Sequence, residues 1–81
     1  MTRIASARHY EAFQALLVEK RGAAGLTQQD VADRIDWPQS AIAKIENGER
    51  RLDVVEFVVL AQVIGFDPVK ALREYCKKVA A

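Results

Sequence analysis

One cysteine, Cys76, and one histidine, His9, are too few for an internal disulfide framework or a multi-ligand metal site, so we expect no metal and no cofactor. With a single His, a single Cys and no acidic pair in a recognisable setting, the groups that catalysis draws on are missing. The chain is therefore not expected to be an enzyme or to take a small-molecule substrate. Two prolines and four glycines fall in short turns, and no linker, repeat or low-complexity segment divides the sequence. No apolar run approaches the roughly 20 residues that cross a bilayer. The opening MTRIASARHYEAF lacks the apolar centre of a signal peptide. We expect no membrane association and a cytoplasmic location. Net charge is scarce too. Twelve basic residues against eleven acidic ones leave +1, so any affinity for a polyanion must come from local placement of charge.

What the chain does have is apolar and charged residues in globular proportion, 51% and 28% of its 81 residues. At this size folding hides only about 60% of the unfolded surface, so stability should be modest unless a partner adds to it. We expect one domain over residues 1–81.

The spacing of apolar residues has a helical period throughout, with no sustained alternation to argue for strands. Five helices are expected, giving an all-α fold. The first spans about 7–21, with Tyr10, Phe13 and Leu17 at i, i+3 and i+7, Leu16 and Val18 widening the stripe, and Gly22 ending it. The second opens at Thr27, whose hydroxyl can accept from the amide of Asp30 while that carboxylate reaches back. Val31, Ala32 and Ile35 form its inner face. Asp36 ends it, a residue able to take the left-handed conformation of a tight turn. The third begins at Pro38, pre-set for a first helical position. Pro38, Ala41, Ile42 and Ile45 share one side, and Gln39, Ser40, Ala43, Lys44 and Asn47 the other. Asn47-Gly48 closes it. The fourth starts at Asp53, with Glu56 three residues on, and reaches Gly65. It carries a stripe of Phe57, Leu60, Ala61 and Ile64 and a second of Val55, Val59 and Val63, so it needs two packing partners. The fifth starts at Asp67-Pro68 and carries Val69, Leu72, Cys76 and Val79.

Residues 27–47 thus form helix, short turn, helix, the second helix with a polar outer face, which is the pattern of a helix-turn-helix. From about residue 13 to residue 72 the chain resembles the phage-repressor-like helix-turn-helix family, the Xre or Cro type. The elements that carry the resemblance are Leu26-Thr27-Gln28, Ala32, Ile42, Ile45-Glu46-Asn47-Gly48, Leu60-Ala61, and Gly65 before Asp67-Pro68. Each is common alone; their order and spacing together are specific. Asp36 stands where the family usually has Gly, which should cost a little stability without losing the motif.

The resemblance implies a lambda-repressor-like fold whose third helix enters the major groove of double-stranded DNA. The chemistry of its outer residues fits. Gln39 can bind adenine bidentately, Ser40 can donate or accept, Ala43 leaves room for a thymine methyl, and Lys44 can reach guanine or a phosphate. Phosphate contacts are implied at Gln28 and Asn47; Arg50 and Arg51 join them on charge alone. A structural ion pair between Arg21 and Glu46 is also implied. Trp37 could touch the DNA backbone, but packing against a neighbouring helix is the commoner place for such a residue. His9 is expected at the surface, and Cys76 as a small apolar residue of the last helix.

One recognition helix reads only a few base pairs, so a homodimer on a palindromic operator is expected, built by helices 53–64 and 67–79. Val55, Val59 and Val63 offer one surface; Val69, Leu72, Cys76 and Val79 offer the other. One of these two stripes is expected to be absorbed inside the chain. The expected function is transcriptional regulation, as a repressor, with three settings open: phage repressor, restriction-modification controller, or antitoxin. A protein-interaction module that keeps the fold without using DNA, with a toxin or other regulator as partner, is the alternative.

Overall fold

The computed structural model describes residues 7–80, which form five helices and, among the described residues, no strand. They are α1 (Ala7–Ala23), α2 (Gln28–Ile35), α3 (Gln39–Glu46), α4 (Val54–Ile64) and α5 (Pro68–Val79). The caps explain most of the boundaries. Thr27 and Asp30 form a reciprocal capping box at α2, and Asp53 and Glu56 form another at α4. Asp67 caps α5, with Pro68 opening the helix. The backbone amide of Thr27, and then its hydroxyl, hold the Asp30 carboxyl below its ordinary range by bonding the ionised form.

Two boundaries differ from expectation. Gly22 does not stop α1, because its φ stays helical; the left-handed residue that turns the chain is Gly25, at φ 72°. Pro38 is the residue before α3 and not its first turn, with an extended ψ of 146°. It is exposed, so the inner side of α3 consists of Ile42 and Ile45 with Ala41 half-buried. The turn residue Asp36 does adopt the left-handed conformation, at φ 60° and ψ 41°.

The core lies where the five helices converge. Leu16, Leu17, Val31, Ala32, Ile42, Ile45, Phe57, Leu60, Ile64 and Ala71 form one buried cluster. Ala32 is fully buried; its single methyl lets α2 and α3 cross closely. Phe13 bridges α1 to α4 and α5, with ring centroids 5.4 Å from Phe57 and 5.9 Å from Tyr75. The Tyr75 hydroxyl donates to the carbonyl of His9, which is half-buried and not at the open surface. Val18, expected in the inner stripe of α1, points outward, because its position is more than a quarter-turn from the Phe13–Leu17 row.

Neither apolar stripe of the last two helices is absorbed within the chain, contrary to expectation. Val55 is 72% exposed, Val69 59% and Leu72 41%, and Cys76 is exposed; only Val63 and Val79 are half-buried. The reason lies in α5, which turns Ala71 and Tyr75 to the core where Val69, Leu72 and Cys76 would have stood.

The cluster gives a direct test. Leu16→Ala should cost about 3 kcal/mol in urea unfolding, since Leu16 is fully buried. The outward-facing Val18→Ala should stay within about 0.5 kcal/mol.

Candidate nucleic-acid interface

Gln39, Ser40 and Lys44 are exposed on α3, on the side opposite the buried Ile42 and Ile45; Ala43 is half-buried between the two sides. The amphipathic spacing of an eight-residue helix is enough to turn these groups away from the body. Polar side chains of α1, α2 and both ends of α3 are also tied to one another. Arg21 donates to Glu46 through Nε at 2.6 Å and Nη2 at 2.9 Å, and its Nη1 reaches the carbonyl of Leu26 at 2.9 Å. Gln28 Nε2 donates to Glu46 Oε1 at 2.9 Å, and Gln39 Nε2 donates to Gln28 Oε1 at 2.7 Å.

The polarity of this chain of bonds is fixed from one end. An ionised carboxylate can only accept, so Gln28 must turn its amide nitrogen to Glu46 and its oxygen to Gln39. Gln39 therefore gives one N–H inward and keeps its oxygen and second N–H for another partner. The Glu46 hydrogen bond raises the Arg21 pKa above its ordinary value, against the opposing effect of burial. With side chains 19% and 9% exposed, this pair is partly buried.

The loop after α3 is less free than its composition suggests. Arg50 donates to Glu56 at 2.8 Å and lies over the Trp37 ring, 4.6 Å from its centroid. Trp37 packs against the core cluster. Arg51 is exposed but lies over Tyr10 at 3.7 Å. The Asn47 side-chain oxygen accepts from the Glu49 amide, and its Nδ2 donates to the Glu49 carboxylate. Glu49 thus sets an acid beside a residue assigned to phosphate, and Asp30 sets another at the start of α2. Gly48, at φ 86°, takes a left-handed conformation that side chains rarely adopt; a Cβ there would also displace the flexible end of Gln14.

Three features escaped the sequence. The Gln28–Gln39 bond is one, although a glutamine at the start of two consecutive helices was its visible signal. The seating of both arginines on aromatic rings is another, and Tyr10 lies too far along the chain to have announced it. The third is Val54, 76% exposed and beside the valine stripe of α4.

An exposed polar helix start, a tight left-handed turn and a preceding capped helix together define a helix-turn-helix protein. Residues 17–70 match the helix-turn-helix family. A solved structure, an XRE-family like protein from Pseudomonas syringae pv. tomato str. DC3000, is 44% identical to the chain. It superposes with a TM-score of 0.83 over 89% of this chain and 88% of its own. No curated protein matches. The chain belongs to the Xre-type helix-turn-helix family, whose members are DNA-binding regulators.

The ion pair can be separated from its setting. Arg21→Met should cost about 2 kcal/mol in thermal unfolding, because it strands Glu46. Replacing both partners, Arg21→Met with Glu46→Leu, should cost less than that single change.

Proposed function

We propose that this protein is a sequence-specific transcriptional repressor that binds a palindromic operator as a homodimer and occludes a promoter in the cytoplasm. The observation that carries this reading is the run from Arg21 through Glu46 and Gln28 to Gln39. It holds an exposed glutamine at the start of α3 and leaves it one donor and one acceptor, the pair that adenine N7 and N6 require. Ser40 and Lys44 continue the readout along the same face, and Ala43 lies against a thymine methyl. Gln28, Asn47 and Arg51 meet phosphates. Arg50 serves first to hold the loop on Trp37 and Glu56, and reaches a phosphate only by giving up the carboxylate.

Two copies pair through the exposed valines of α4, Val54, Val55 and Val59, which lie in water in the single chain. Pairing doubles the base pairs read and sets half-sites about 34–36 Å apart, or a multiple of that. The alternative, a module that binds protein and not DNA, draws its support from the same exposed valines.

Selection from a random duplex pool, followed by fluorescence anisotropy on the enriched site, tests the reading. Gln39→Ala should lose about tenfold or more on that site and little on non-specific duplex. With about four phosphates neutralised per subunit, log affinity should fall with log salt by about 0.9 for each, and Arg51→Ala should remove about one such unit. Absence of any enriched site, or a Gln39→Ala variant that binds as the parent does, overturns the proposal in favour of the protein-binding module. Sedimentation at micromolar concentration should show a dimer that Val55→Glu converts to monomer.

A further inference from the structure

Helix α5 carries four basic residues, Lys70, Arg73, Lys77 and Lys78, against one acid, Glu74. Lys20 already holds that acid at 3.2 Å. The helix packs on α1 and α4 through Ala71 and Tyr75, which leaves two rows outward. Val69, Leu72 and Cys76, at spacings of three and four, make an apolar row; Lys70, Arg73 and Lys77, at the same spacings, make a basic row beside it, and all six are exposed. The helix dipole accounts for Lys77 and Lys78, which sit in the last turn. It does not account for Lys70, in the first turn, where a cation is disfavoured. A basic row running the length of the helix is therefore placed for something outside it.

We propose that this face of α5 is a docking surface for an acidic amphipathic helix of a different protein. The charge pattern separates that occupant from a second copy of this chain. An antiparallel two-fold pairing of α5 with itself would lay each basic row along the other, a like-charge contact that opposes association. A parallel pairing would set the row against the Pro68, Tyr75 and Val79 side, which has no acid. A DNA backbone would satisfy the charges but offers nothing apolar to Val69 and Leu72. A bilayer would satisfy both, yet the exposed rows contain no aromatic side chain and a single leucine, too little for interfacial anchoring. A helix with apolar residues alternately three and four apart and glutamates beside them matches both rows at once. Twelve residues of α5 are about 18 Å long, so three turns of partner suffice.

The test uses the whole protein and a fluorescein-labelled synthetic helix of about 14 residues, leucines spaced three and four apart with flanking glutamates. A scrambled peptide of the same composition is the control. Anisotropy should show the patterned peptide binding at least about tenfold tighter than the scrambled one. The combined change Lys70→Glu, Arg73→Glu and Lys77→Glu should abolish that binding while leaving helix content by circular dichroism and operator binding unchanged. Leu72→Ser should weaken it even at high salt, and Gln39→Ala should not affect it. Equal binding of the scrambled peptide overturns the proposal. So does a triple variant that still binds the patterned peptide, or one that loses instead its binding to phosphatidylserine vesicles or to a non-operator duplex. Because operator binding is read separately, failure here is distinct from failure of the proposed DNA-binding function.

Discussion

Glu46 accepts three hydrogen bonds, two from Arg21 and one from Gln28, and through them one carboxylate joins the end of α1, the start of α2 and the end of α3. Two consequences follow from its being an acceptor and nothing else. The bidentate guanidinium contact fixes the orientation of α3 against α1, since a planar fork tolerates little rotation. The remaining contact fixes which way Gln28 faces, and so which atoms Gln39 keeps for a base. A neutral amide at position 46 would leave both glutamines free to flip, and the outward edge of α3 would no longer present a single pattern. The same anchor thus serves the packing of the fold and the chemistry of its reading edge. Its partial exposure limits the desolvation that so buried a charge would otherwise suffer.

A chain with a net charge of only +1 must bring its cations to bear on DNA locally. Few of the cations around α3 stand unengaged. Lys44 projects from α3, while both loop arginines rest on aromatic rings. A cation seated on a ring loses less conformational freedom on meeting a phosphate than one on a freely moving stem. Glu49 beside Asn47 and Asp30 at the start of α2 add negative charge that weakens any non-specific attraction to a polyanion. The balance shifts affinity away from charge alone and toward base contacts, which is what a regulator needs when non-specific sites far outnumber its own.

How much of this the sequence revealed depended on whether the cause was local. The caps at Thr27, Asp53 and Asp67 were legible because capping is settled within three residues. The Phe57, Leu60, Ala61 and Ile64 stripe was legible because it is the most apolar side of a nearly all-apolar helix. Gly22 misled because glycine marks a turn only where φ is positive, and that requirement falls at Gly25. The α5 stripe misled for a different reason. Two rows of that helix have apolar character, and the larger side chains of Val69 and Leu72 seemed the better core; yet the closeness of α1 favours a methyl, Ala71, with Tyr75 reaching across to His9. Packing distance decided between them, and distance between helices is not written in one helix. The site shows the same divide: the outward residues of α3 followed from periodicity, whereas the Gln28–Gln39 bond depends on how α2 and α3 cross.

The exposed apolar residues then take on a different meaning. A chain of this size has little core to spare, yet Val54, Val55, Val69 and Leu72 stand in water, and turning either helix inward would not bury them without loss. Rotation of α4 would expose Phe57 and Leu60, and rotation of α5 would break the Tyr75 bond and separate Lys20 from Glu74. The helices are therefore held at their present angles by the core and by these two polar ties. The apolar rows remain outward in consequence and differ in their borders: Asp53, Glu56 and Gln62 on α4, lysine and arginine on α5. Surfaces of equal hydrophobicity with unlike borders select unlike partners, because it is charge at the rim that rejects the wrong one. On the proposed reading, one face suits its own copy and the other an acidic helix, which would let a small fold both pair on DNA and engage another protein.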